Sequence, residues 1–202
     1  MPVQSGAQAA TPANAEDHAR RNFAVSTAAN ELLYCRAMVN SCEDAIGSRG
    51  GEFAWSESQA ALDTAIENLQ FAIGDTGATV SHNALPLVYG DLAQLTQVFQ
   101  NLIENALKFR RTEPPRVRVS AVHRPGAWEF CVADNGIGIA PAHHERIFLL
   151  FQRSHTRTEY PGTSIGLPVC KRVVERHRRR IWVDSEPGRG SAFLFHHRGG
   201  MP

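Results

Sequence analysis

At 202 residues and 22.2 kDa, the chain has room for one ordinary domain with an appendage. Hydrophobic residues at 43% and charged residues at 20% predict a packed core and exclude wholesale disorder. A net charge of +1, from 21 Lys and Arg against 20 Asp and Glu, offers no overall field for nucleic acid or an anionic membrane. No apolar run approaches the roughly 20 residues of a membrane span, and residues 1–22 lack the apolar centre of a secretion signal. Cys35, Cys42, Cys131 and Cys170 make no CxxC pair and no metal-spaced cluster, so a reduced, cytoplasmic chain is expected.

Residues 1–22, rich in Ala, Gln, Pro and Ser, read as a tail. In residues 23–48, Val25, Ala28, Leu32, Cys35, Val39, Cys42 and Ile46 recur at alternating spacings of three and four. That stripe predicts a helix packing on other helices, either docked on its own domain or forming a homodimer through residues 25–46. Gly47 to Gly51 opens a linker, and residues 49–202 read as an α+β domain. A helix is predicted over Ser58–Ile73, with Leu62, Ile66, Leu69 and Ile73 on one face, and a short strand lies in Ala78–Val88. Asp91, with Gln94 three residues on, predicts the start of a helix over Leu92–Phe109, which Pro114-Pro115 stops. Strands are expected around Val117–Ala121 and Phe130–Val132, then at Ile181–Asp184 and Ala192–Phe195. A helix over Leu167–His177 precedes the last pair, so helices should cover one face of a mixed, mostly antiparallel sheet.

Three clusters carry polar groups that a core would not select. Asn101, Asn105 and Lys108 share one helix face. An amide oxygen is a hard, neutral ligand suited to Mg²⁺, and an ammonium one turn on suits a phosphate. The second cluster is Asp134-Asn135-Gly136-Ile137-Gly138-Ile139, at a strand end. Its carboxylate accepts from an exocyclic amine, and its glycines let a ligand approach the backbone. The third, Gly162-Thr163-Ser164-Ile165-Gly166-Leu167, runs into a helix whose first N–H groups favour anions. Together the three point to one nucleotide site.

In order, QNLIENALKF, DNGIGI, IFLLFQR and GTSIGL resemble the N box, first glycine box, F box and second glycine box of the histidine-kinase-type ATP-binding domain. The stretch from Arg146 to His177 is most similar to bacteriophytochrome-type sensor kinases. The resemblance implies a Bergerat-type α/β sandwich, preceded by a helical dimerisation-type segment, that holds Mg-ATP beneath a lid at about 153–161. It implies that Asn105 ligates Mg²⁺ with Asn101 assisting, that Lys108 meets the phosphates and that Asp134 reads adenine. It also implies that Gly136, Gly138 and Ile139 shape the pocket floor and that Phe148 and Phe151 anchor the lid. Gly162, Thr163, Ser164, Gly166 and Leu167 would wrap the triphosphate. The implied activity is phosphoryl transfer to histidine, with a response regulator or a histidine-bearing protein as partner.

Two departures qualify the implied chemistry. Hydrolysing relatives place a Glu where this chain has Asn101, and Glu104 points ~100° away around the helix. That favours phosphoryl transfer over water activation. The stripe from Val25 to Ile46 contains no histidine, and His18 is followed by Ala19-Arg20-Arg21, so the acceptor histidine is expected on another polypeptide or region. With Ser164 in place of a glycine, this leaves open a non-catalytic nucleotide-binding or dimerisation module; a serine kinase of anti-sigma type fits the lid sequence less well.

Overall fold

Alternation along the strands places one row of side chains against helices and the other toward solvent. In the computed structural model, which describes residues 53–149 and 166–199, this row is the core. The tail and the striped segment of residues 25–46 lie outside the described residues. Strands β1 (Ala54–Glu57), β2 (Thr79–His82), β3 (Leu87–Gly90), β4 (Arg116–Arg124), β5 (Ala127–Asp134), β6 (Ile181–Ser185) and β7 (Ser191–His197) form two sheets. The larger has the order β2-β4-β5-β7-β6. Strand β2 runs parallel to β4, and every other pairing in that sheet is antiparallel. Helices α1 (Ser58–Asn68), α2 (Gln70–Thr76), α3 (Leu92–Lys108) and α4 (Gly166–Arg176) complete the fold.

Helix α3 is the central element of the helical layer. Its Leu95, Val98, Phe99, Leu102, Ile103 and Ala106 are buried, as the 3.6-residue period requires. Phe99 meets Phe130 and Phe195 edge-on at 5.9 and 6.0 Å, and those two rings stack at 5.1 Å. The cap expected at Asp91 forms: Oδ1 accepts from the Gln94 N–H at 3.2 Å. At the other end the Phe109 N–H reaches the Asn105 carbonyl, and Pro114-Pro115 leads into β4.

The structure departs from the sequence reading in two places. The helix expected over Ser58–Ile73 breaks at Leu69, whose N–H is shared between the carbonyls of Ala65 and Ile66. The break lets Leu69 stay buried while α2, which has no buried residue, turns away and ends on left-handed Gly77. The second departure is a separate two-stranded sheet of β1 with β3. Strand β1 is four residues long with no in-out alternation, so its pairing is legible only in three dimensions.

Where β3 enters α3, two histidines are buried side by side. The rings of His177, just after α4, and His197, at the end of β7, lie 4.8 Å apart. They occupy the space above Gly90, where a Cβ would fall 2.5 Å from His197 Cε1 and 2.9 Å from His177 Nε2. Burial, then the adjacent His177, pushes His197 down to about 4, and burial also lowers His177. The folded chain therefore holds both rings neutral at pH values where the unfolded chain takes up protons. Their contribution is complete above the ordinary histidine value of about 6.5 and disappears as pH falls through the folded value. Urea denaturation should show the wild type losing ~1–3 kcal/mol between about pH 7 and about pH 4 beyond the loss in His197→Gln. Equal losses in the two proteins would remove this assignment.

Candidate nucleotide-binding site

The three polar residues of α3 fall on one face, as their spacing requires. Asn101 Nδ2 donates to the carbonyl of Gly166 at 3.3 Å and joins α3 to the start of α4. Its Oδ1 accepts from Gln97 at 3.1 Å. One turn on, Asn105 Nδ2 is buried with no hydrogen-bond partner among the described residues. A buried amide donor without a partner carries a desolvation cost that a bound acceptor would offset. Lys108 lies at the helix end, its Nζ 5.0 Å from the centre of the Phe109 ring. Glu104 is exposed, off this face.

The loop after β5 packs against the end of α3. Ile137 N–H donates to the Phe109 carbonyl at 3.0 Å. Asp134, at the strand end, uses a single oxygen, Oδ1, to accept from the N–H groups of Gly136 at 2.7 Å and Ser191 at 3.2 Å. Burial raises the Asp134 carboxyl above the usual carboxylate range, and these two N–H groups partly counter it. The donors orient the group and leave Oδ2 for another partner.

Two glycines of this loop are required by space. A Cβ on Gly136 would sit 2.4 Å from the Phe109 carbonyl oxygen. Gly138 has φ +72°, and its Cβ would fall 2.0 Å from the Glu186 carbonyl oxygen. Ile139, half-buried against the core, donates its N–H to Ser185 Oγ at 2.8 Å.

Sequence reasoning missed the groups that brace this loop. Asn135 Oδ1 accepts from the Arg116 N–H at 2.7 Å, and its Nδ2 donates to the Pro114 carbonyl. Arg111 donates to the carbonyls of Asn135 and Gly188, at 3.1 and 3.0 Å. Ser185 Oγ donates to the Gly190 carbonyl at 2.8 Å. The run Ser185-Glu186-Pro187-Gly188-Arg189-Gly190 was legible only as a turn, because its partners lie some 50 residues earlier in the chain.

At the start of α4, Gly166 and Leu167 sit beside the α3 face, and Leu167 packs on the core. Gly166 is not demanded by space, since its Cβ would make ordinary contact with Asn101 at 3.5 Å. Phe148 is buried and meets Phe193 edge-on. Phe151, Gly162, Thr163, Ser164 and the lid lie outside the described residues. Cys170 is fully buried, which pushes its thiol up to about 12 and makes it a packing residue.

Substitution at Gly138 tests this loop. Gly138→Ala should lower stability by ~2 kcal/mol or more, through strain and the clash with Glu186. Gly74→Ala, on the open side of α2, should instead stabilise by ~0.5–1 kcal/mol. Urea midpoints that move together in the two variants would contradict the close approach.

Comparison with known proteins places this geometry in a family. Residues 90–199, more than half the chain, match the family described as histidine kinase-, DNA gyrase B-, and HSP90-like ATPase. Cyanobacterial phytochrome A of Nostoc sp. strain PCC 7120 is 50% identical over 143 residues, 71% of this chain and 19% of the phytochrome. The chain thus spans about a fifth of the length of that relative. A mycobacterial sensor histidine kinase, MprB, superposes with a TM-score of 0.63 at 26% identity, over 73% of this chain and 98% of that one. Full-length ShkA, solved in complex with AMPPNP, matches in fold with a TM-score of 0.67 at 24% identity, over 90% of this chain and 40% of its own. The paired asparagines of α3, the carboxylate at the end of β5 and the glycine loop stand within the matched region, and the chain belongs to the histidine kinase branch of this ATP-binding family.

Proposed function

We propose that residues 49–202 bind Mg-ATP and present its γ-phosphoryl group to a histidine carried by another polypeptide or region, as the catalytic part of a sensor kinase. The observation that carries this reading is the Asp134 carboxylate. Two backbone N–H groups hold one oxygen, so the other is oriented to accept from the amine of adenine. Gly136 and Gly138 keep side chains out of the pocket floor. Lys108 would meet the phosphates, and Gly162, Thr163, Ser164, Gly166 and Leu167 would close over them.

The residues present fit a magnesium ion. Among the described residues no three His, Cys, Asp or Glu side chains gather into a metal site. An ion bound mainly by phosphate oxygens and water, with one neutral amide oxygen, needs no such group. Asn105 would supply that oxygen, while its Nδ2, without a partner among the described residues, would donate to a phosphate oxygen. The ion would offset charge on the phosphates, and Asn101 would hold the α3 face against α4. With Asn101 in place of a carboxylate, no base stands on this face among the described residues, which favours transfer over hydrolysis.

The partner would be a histidine-bearing protein or segment, with a response regulator downstream, and residues 25–46 would mediate self-association. A second reading, a nucleotide-binding module without transfer, is favoured by the absence of histidine from Val25–Ile46 and by Ser164 in place of glycine.

Two measurements test these readings. Asp134→Asn turns an acceptor toward the donating adenine amine into an amide. Calorimetry should find ATP binding weaker by ~1–3 kcal/mol, and equal affinities would overturn the site. Incubation of the 202-residue chain with γ-labelled ATP should leave no acid-labile, base-stable phosphate on it. Label on any of its nine histidines would show that the acceptor lies within this chain.

A further inference from the structure

The buried histidine pair touches the residue from which the nucleotide helix starts. His177 Nδ1 lies 2.8 Å from the Val173 carbonyl and donates to it. Its Nε2 therefore carries the lone pair and accepts the backbone N–H of Asp91 at 3.3 Å. Asp91 also caps α3 through Oδ1, and its carbonyl accepts from the Leu95 N–H at 3.0 Å. Its second oxygen, Oδ2, is buried without a hydrogen-bond partner among the described residues. The site of phosphate chemistry uses none of these groups.

We propose that His177, backed by His197, is a proton-responsive positioning residue for α3 that sets nucleotide affinity without touching nucleotide. The inference rests on the Mg-ATP reading of the α3 face. While His177 is neutral, it anchors the Asp91 amide. Once Nε2 carries a proton it no longer accepts, and the acceptor offered by the same residue is Asp91 Oδ2. Pairing there draws on the side chain that caps the helix, so the first turn of α3 shifts. Because α3 is a single packed helix of 17 residues, the shift is passed to Asn101, Asn105 and Lys108.

Aromatic rings and charged groups surround this contact. Phe53 lies 4.7 Å from the His177 ring and 6.2 Å from Tyr89 of β3. Arg176 and Arg198 lie over Phe53 and Tyr89, at 5.7 and 5.4 Å. The charged groups facing the pair are Asp91 from α3, Arg176 from α4, Arg179 from the turn after it and Arg198 following β7. Strand β5 brings the ring of Phe130 to His197 and pairs Trp128 across from it, and β3 offers Tyr89 and the bare backbone of Gly90. The arginines oppose protonation and Asp91 favours it, so the balance turns on the contact that would change. Burial keeps both rings below the ordinary histidine value, which puts the transition on the acid side of neutrality.

The test uses the full chain and two variants. His177→Gln keeps an acceptor for the Asp91 N–H and does not titrate; His177→Leu removes the acceptor. Dissociation constants for Mg-AMPPNP are measured at about pH 7.5 and about pH 5. The ligand's own ionisation is common to all three proteins, so only the differences between them count. His177→Gln should match the wild type at the upper pH and bind about fivefold or more tightly than it at the lower. His177→Leu should bind more weakly than the wild type at the upper pH. Parallel wild-type and His177→Gln curves would overturn the proposal. Amide resonances of Asp91, Leu92 and Gln94 give a readout independent of nucleotide. They should titrate in the wild type, with a midpoint below about 6.5, and stay fixed in His177→Gln. Wild type that fails to bind nucleotide at the upper pH would strike the Mg-ATP reading alone, because the resonances still decide whether the contact switches.

Discussion

The seating of Phe99 on the stacked rings of Phe130 and Phe195 sets where α3 lies on the sheet. All three side chains are fully buried. The helix has one face committed to β5 and β7, so its other polar face has no freedom of orientation. Asn101, Asn105 and Lys108 are aimed by this packing, just as Asp134 is aimed by its place at the end of β5. A cavity at Phe99 would therefore act on the candidate site as well as on stability, through the angle of the helix that carries half of it.

The loop that follows β5, from Asn135 to Ala140, depends on the same seating from the other side. Its N–H groups and carbonyls are tied to the Phe109 carbonyl at the end of α3, to Ser185 and to the turn before β7, while the Ser191 N–H holds the Asp134 side chain. These contacts bring backbone against backbone, which is why Gly136, Gly138 and Gly190 stand where a Cβ would overlap a carbonyl oxygen. Asp134 gains a fixed orientation from this framework. A carboxylate held by two N–H groups on one oxygen presents the other in a set direction, which suits recognition of a flat heterocycle better than a freely rotating group would.

Electrostatics in the described region is governed by burial more than by ion pairs. The salt bridges Arg116–Glu113, Lys171–Glu175 and Arg189–Glu186 are exposed and contribute little. The consequential charges are those withheld from water: the Asp134 carboxyl, raised by burial, and His177 and His197, lowered by it. The two sites sit at opposite ends of the fold's central helix, so a change of protonation at one end acts on the other through a rigid element.

The sequence by itself determined the elements whose periodicity is local. The apolar period of α3, the Asp91 cap and its proline stop, the alternation in β4 and the four ordered boxes made the fold class readable and marked the candidate site's residues on α3 and at the end of β5, because each signal lies within one turn or one strand. What only the tertiary structure decided were contacts between distant segments. The break at Leu69 arises because the chain turns while Leu69 stays buried. The β1–β3 sheet pairs strands too short to show a pattern. The braces from Asn135, Arg111 and Ser185 link loops on opposite sides of β5 and β7. The His177–His197 pair unites the end of α4 with the end of β7 over a glycine that reads, in one dimension, as nothing more than the end of a strand. Such contacts depend on which surfaces meet when the layers close, and no spacing along the chain encodes that.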